Sequence, residues 1–109
     1  MNKVVRDGKV AVLYSPGFGA GWFTWNSTIV DNAERMIFDP IIVQILETNS
    51  DNAYQQIIEY VGEEYPDAYD GGVEDLTIAW IPVGTKFYID EYDGSESIKT
   101  VDDTLWMTA

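Results

Sequence analysis

Polar and apolar positions along this chain fall into two regimes. Between Ile29 and Val61 the apolar side chains recur at helical spacing, and from Leu76 onward they alternate. Helical spacing marks amphipathic helices, and alternation marks half-buried strands. Ahead of both, Val4-Val5-Arg6-Asp7-Gly8-Lys9 to Tyr14 reads as two strands around an Asp-Gly turn. The second of these, through Val10-Ala11-Val12-Leu13, is almost continuously apolar, the pattern of a central strand covered on both faces.

Ser15 to Gly21 holds a proline and three alternating glycines, so a loop is predicted there. Trp22-Phe23-Thr24-Trp25-Asn26 then begins a first helix, with Ile29, Val30, Ala33, Met36 and Ile37 on its apolar face. Asp39-Pro40 is a boundary: proline suits the first position of a helix, and Asp39 before it is a natural N-cap. Ile41, Ile42, Ile45 and Leu46 give that second helix its stripe, ending near Asn49. Asn52 and Gln55 match a capping box, opening a third helix that buries Ala53, Ile57, Tyr60 and Val61 and stops before Pro66.

After a loop over 65–72, Leu76–Pro82 and Lys86–Tyr92 read as strands joined at Val83-Gly84-Thr85, with Asp93-Gly94 turning the chain into a final strand, Glu96–Val101. The expected fold is α+β, one acidic domain over residues 1–109. Its sheet is mainly antiparallel, an N-terminal hairpin plus a C-terminal three-stranded meander, with about three helices packed on one face.

Charge changes this picture most. The chain has 19 Asp and Glu against 6 Lys and Arg, a net charge of −13 over 109 residues. Residues 59–109 hold 13 of the acids and only Lys86 and Lys99 as bases. Solubility asks for a net charge of only about 2–8, and the excess repels itself. Hydrophobic residues at 46% and aromatics at 14% nonetheless supply a core, which a disordered acidic tail lacks. The acids Glu63, Glu64, Asp67, Asp70, Glu74 and Asp75 group around the end of the third helix, with Glu59 one turn earlier. Asp90, Glu91, Asp93 and Glu96 group at the second hairpin, with Asp102 and Asp103 beyond. All but Glu59, Asp102 and Asp103 are taken as partner-binding residues. Such a field attracts a basic protein and can compete for a groove built to hold nucleic acid. Direct binding to nucleic acid or to anionic membranes is not expected, since both need clustered Lys and Arg. A solvated face that only confers solubility is the bland alternative.

Recognisable chemistry is scarce. There is no Cys and no His, which removes thiolate and imidazole ligands and the commonest general base. The spacing Gly17-x-Gly19-x-Gly21 fits neither phosphate-binding glycine motif, so a tight turn that packs Trp22 and Trp25 is the simpler account. Gly17, Gly19, Gly21, Trp22 and Trp25 are kept as candidate loop contacts, with most of the aromatics going to the core. A calcium loop centred on Gly94 would need ligands at Ile89 and Thr100, and fails at both ends. No catalytic residue, metal site or cofactor is predicted, and a non-enzyme is expected. Met1 to Asp7 has no apolar leader region and no run approaches a bilayer span, so a cytosolic protein is expected.

Gly17-Phe18-Gly19-Ala20-Gly21-Trp22-Phe23-Thr24-Trp25-Asn26, Tyr65-Pro66-Asp67-Ala68-Tyr69 and Glu91-Tyr92-Asp93-Gly94-Ser95-Glu96-Ser97 resemble a family of small acidic proteins encoded by phages and prophages. The resemblance implies a viral origin and residence in the host cytoplasm. By class, small acidic phage proteins include inhibitors of host nucleases and of CRISPR effectors, some acting as DNA mimics. The leading expectation is an inhibitor that occupies a basic surface on a host nucleic-acid-handling or defence protein, using a surface built from the Gly-Trp loop and the Asp-Gly-Ser-Glu hairpin. Two alternatives stay open: a small-ligand or nucleotide binder using the Gly17–Trp25 loop, and a homo-oligomeric phage accessory protein.

Overall fold

The computed structural model describes residues 2–48 and 51–100, and Asn49, Asp102 and Asp103 lie outside them. In chain order the elements are β1 (Val5–Arg6), β2 (Lys9–Tyr14), α1 (Phe23–Asn26), α2 (Arg35–Phe38), α3 (Pro40–Thr48), α4 (Ala53–Glu64), a 3-10 turn (Gly71–Asp75), β3 (Thr77–Pro82), β4 (Phe87–Tyr92) and β5 (Ser95–Thr100). The fold is α+β with antiparallel sheets throughout.

The meander does not form. β3 pairs with β2 over its whole length, Lys9 opposite Pro82 through Tyr14 opposite Thr77, giving a sheet in the order β1-β2-β3. β4 and β5 make a separate two-stranded sheet. The apolar run in β2 explains the exchange. Ala11, Val12 and Leu13 are fully buried, so both rows of their backbone groups need partners. The two-residue β1 covers only one edge, and β3 covers the other. Gly84, at φ 86°, then turns the chain out of that sheet.

Both predicted Asp-Gly turns are present. Asp7 and Gly8 have φ 52° and 75°, and Asp93 and Gly94 have φ 53° and 84°, the paired positive values that two-residue hairpins require. The expected first helix is broken in two. Asn32 sits at φ 55°, which interrupts a right-handed helix, and α2 starts afresh three residues later. Ala33, Met36 and Ile37 still reach the core, but Ile29 is exposed. The Trp22 indole N–H donates to the Met36 carbonyl at 2.9 Å and folds α2 back over α1.

Asp39 caps α3 as predicted, its Oδ1 accepting from the Ile41 and Ile42 amides at 2.9 and 3.3 Å. The capping box at Asn52 does not form. Gln55 turns to Glu59 instead, and the Asn52 side chain accepts from Gln56. Ile57 and Val61 are buried on α4, with Ile42 and Val43 on α3. Phe38 meets Phe87 edge-on at 6.3 Å, which seats the β4–β5 sheet on the common core.

Candidate functional site

Two segments far apart in sequence are brought together: the glycine loop after β2 and the β4–β5 hairpin. The Gly19 amide donates to the Asp93 carbonyl at 3.1 Å, and the Ser95 hydroxyl donates to the Pro16 carbonyl at 2.6 Å. The Glu96 amide donates to the Ser15 carbonyl at 2.7 Å. Gly94 is required twice over. Its φ is positive, and a Cβ there would stand 2.5 Å from the Ala20 nitrogen. Gly17 is held equally close, with a Cβ only 1.9 Å from the Asp75 carboxylate oxygen.

The anchor of this clasp is Glu96. It was expected on the partner-facing surface, and it is instead 2% exposed. One carboxylate oxygen accepts the Ser15 amide at 2.9 Å; the other accepts the Thr24 amide and the Thr24 hydroxyl, both at 2.8 Å. Three donors around one carboxylate explain how a charge tolerates burial. Directly across the ladder stands Glu91. Like charges facing each other across a hairpin repel. Here the segment carrying α1 supplies both, with Thr24 donating to Glu96 and the Trp25 indole to Glu91 at 2.9 Å.

The remaining partner-facing acids divide unequally. Glu63, Asp67, Asp70, Glu74, Asp75, Asp90, Glu91 and Asp93 are exposed. Glu64 is exposed but tied to Arg35, at 3.0 Å through its carboxylate and 3.4 Å through its carbonyl. Asp75 of the 3-10 turn stands against Gly17, and the hairpin meets the loop through the Asp93 carbonyl at Gly19. The acids at the end of α4, by contrast, are linked to this region through Tyr69, which Asn26 holds to α1. Among the loop contacts, Gly19 is exposed, Gly17 and Trp25 are half-buried, and Gly21 and Trp22 are buried. Trp22 belongs to the core. Trp25 stacks on Tyr69, with ring centroids 5.5 Å apart and planes at 23°.

Two polar anchors were not legible as such in the sequence. Asn26 is fully buried and acts as a backbone mimic, donating to the Trp22 and Tyr69 carbonyls at 2.7 and 2.9 Å and accepting from the Tyr69 amide at 2.7 Å. It ties the 65–70 loop to α1. Asp39, besides capping α3, accepts the Tyr60 hydroxyl at 2.8 Å and the Tyr65 hydroxyl through its other oxygen. Burial and then the adjoining Asp39 carboxylate push both phenols well above the usual tyrosine range, with Arg35, 4.6 Å from the Tyr65 ring, opposing weakly. The only signal for either was a polar residue at a helix boundary.

A groove of about 790 Å³ lies between α2 and β4, walled by Phe23, Ile37, Phe38, Phe87 and Ile89 with Lys3 and Lys86 at its edge. No residue of the glycine loop lines it. Among the described residues, no group of three or more Asp and Glu is arranged to hold a metal ion, and no helix is long and apolar enough to cross a membrane. Compared with known proteins, the chain matches no family model, no curated protein and no solved structure.

Proposed function

We propose that this chain is a non-enzymatic binding protein that occupies a basic surface of a nucleic-acid-handling or defence protein, in the manner of a phage-encoded inhibitor. The supporting observation is the set of exposed carboxylates at Glu63, Asp67, Asp70, Glu74, Asp75, Asp90, Glu91 and Asp93, which form no ion pair among the described residues. They are carried by the end of α4, the 3-10 turn and the β4–β5 hairpin. Hydrogen bonds tie the loop after α4 and the hairpin to α1 and the hairpin to the glycine loop, and Asp75 of the turn stands against Gly17. A field of one sign on a pre-set surface accelerates encounter with a cationic partner and disfavours anionic ones. A phage origin and an effector such as a CRISPR nuclease as target rest on the sequence resemblance alone.

The test reverses Glu63, Asp67, Asp70 and Glu74 to Lys together. Glu64 is left intact, because it holds Arg35 and its loss would confuse folding with binding. Capture of host proteins from lysate, by wild type and variant at low and high salt, reads the outcome. A cationic nucleic-acid-binding protein should be retained by wild type, released by salt, and lost from the variant. Retention that ignores both salt and charge reversal would sink the proposal.

A further inference from the structure

The clasp presents two aromatic rings that the core does not use. Phe18 is 78% exposed and Tyr92 is 77% exposed. They are distant in sequence, yet each immediately precedes one end of the Gly19–Asp93 hydrogen bond, so they flank the same junction. The junction is braced on both sides, by Ser95 to Pro16 and by Glu96 to Ser15 and Thr24. Two carboxylates lie beside it, Asp75 against Gly17 and Asp93 in the turn itself, while Glu91, on the other face of the strand from Tyr92, is held by the Trp25 indole. Single exposed apolar side chains are ordinary. Two aromatic faces on one braced junction, set among carboxylates, match the chemistry of a particular cation.

A guanidinium group is planar and weakly hydrated. It lies on an aromatic face while its N–H groups fork onto a carboxylate, so ring and acid act on it together. A lysine ammonium pairs with the same carboxylates but is compact and strongly hydrated, and gains less from the ring. We propose that Phe18 and Tyr92, with Asp75 and Asp93, form an arginine-reading surface, and that the partner presents arginine side chains to it. This rests on the binding function proposed above and narrows it from a basic partner to an arginine-bearing one.

The experiment titrates the full chain with tetra-arginine and with tetra-lysine at low salt, following the amide resonances of Gly19 and Gly94. Tetra-arginine should bind about fivefold more tightly than tetra-lysine, the size that ring contacts of this kind give, and should move both resonances. Phe18→Ala and Tyr92→Ala together should bring the two affinities together while leaving the melting temperature unchanged, since both rings are exposed. Equal affinities in wild type, a preference that survives both substitutions, or no shift at Gly19 and Gly94 would each overturn the inference. The readout is separate from charge reversal at the end of α4. A ring-dependent arginine preference can stand where the inhibitor function fails, and the reverse.

Discussion

Glu96→Gln isolates the interaction that joins the two halves of the clasp. The substitution keeps shape and volume but replaces one acceptor oxygen with an NH2 group. If the amide nitrogen takes the place of Oε2, it faces the Thr24 amide and hydroxyl, both donors to that oxygen at 2.8 Å. If it takes the place of Oε1, it faces the Ser15 amide. Either way one backbone donor loses its acceptor, and the bonds that remain lose their charge assistance. An unsatisfied donor in a buried site costs about 1–3 kcal/mol, and weakening the remaining bonds brings the expected loss to about 2–4 kcal/mol. For a domain of this size that corresponds to a melting temperature lower by roughly 10–20 °C. Glu91→Gln is the control, since it lies directly across the ladder, is exposed and keeps an oxygen for Trp25. Its expected change is under about 0.5 kcal/mol. Thermal and urea unfolding of both variants, followed by circular dichroism, gives the comparison. If Glu96→Gln unfolds like Glu91→Gln, the carboxylate is not the anchor and the reasoning fails.

Alkaline pH should probe the Asp39 cluster. In the unfolded chain Tyr60 and Tyr65 ionise near pH 10, whereas in the fold burial and Asp39 hold both protonated to higher pH. The folded state then binds more protons, so this stabilisation is complete below about pH 10 and is lost as pH rises toward the folded values, by about 1.4 kcal/mol per pH unit for each phenol. Urea midpoints between about pH 8 and 11 should fall more steeply for wild type than for the Tyr60→Phe, Tyr65→Phe double variant; parallel slopes would count against the cluster. Two glycine substitutions separate crowding from strain. Gly84→Ala, at φ 86° with open space around it, should cost only backbone strain, about 1 kcal/mol. Gly94→Ala adds a methyl 2.5 Å from the Ala20 nitrogen, so it should cost clearly more and should also broaden the Gly19 amide signal; equal costs in urea would argue against a tight clasp.

What the sequence made legible were features whose cause is local. Asp7-Gly8 and Asp93-Gly94 fix their own turns by positive φ, and Asp39-Pro40 fixes its own helix start. The continuous apolar run of β2 correctly marked a central strand, because burial on both faces leaves no polar alternation. It could not say which strand would take the second edge. That choice is tertiary, and β3 makes it by leaving β4. The same limit explains Glu96. In the string of residues 90–96 it is one acid among several, and nothing local separates it from Glu91. Strand alternation puts both on one face, and only the arrival of α1, seventy-two residues away at Thr24, decides which is enclosed. Asn26 is the parallel case: its amide is matched to the backbone of Tyr69, forty-three residues on. The broken first helix had a weaker excuse, since Asn tolerates left-handed backbone and Asn32 could have suggested the interruption.

Charge and clasp bear on each other in a specific way. Thirteen net negative charges repel across a small body and oppose compaction, yet the acids are not scattered to minimise that repulsion. They collect on the end of α4, the 3-10 turn and the hairpin. Holding such elements together needs contacts that do not depend on neutralising the surface, and this is what the interior polar groups supply. Glu96 binds loop to hairpin, Asn26 binds the 65–70 loop to α1, and Asp39 binds α3 to α4, each through neutral donors with no cation consumed. The scarce basic residues do little to neutralise the outward acids: Arg6 pairs with Glu47, away from the elements that carry them, Arg35 takes up only Glu64, and Lys99 on β5 makes no ion pair among the described residues. Apart from Glu64, the outward carboxylates of these elements thus form no ion pair among the described residues, while the elements that carry them stay tied together. A surface in that condition gains most from an external cation, because binding removes a repulsion that folding had to bear.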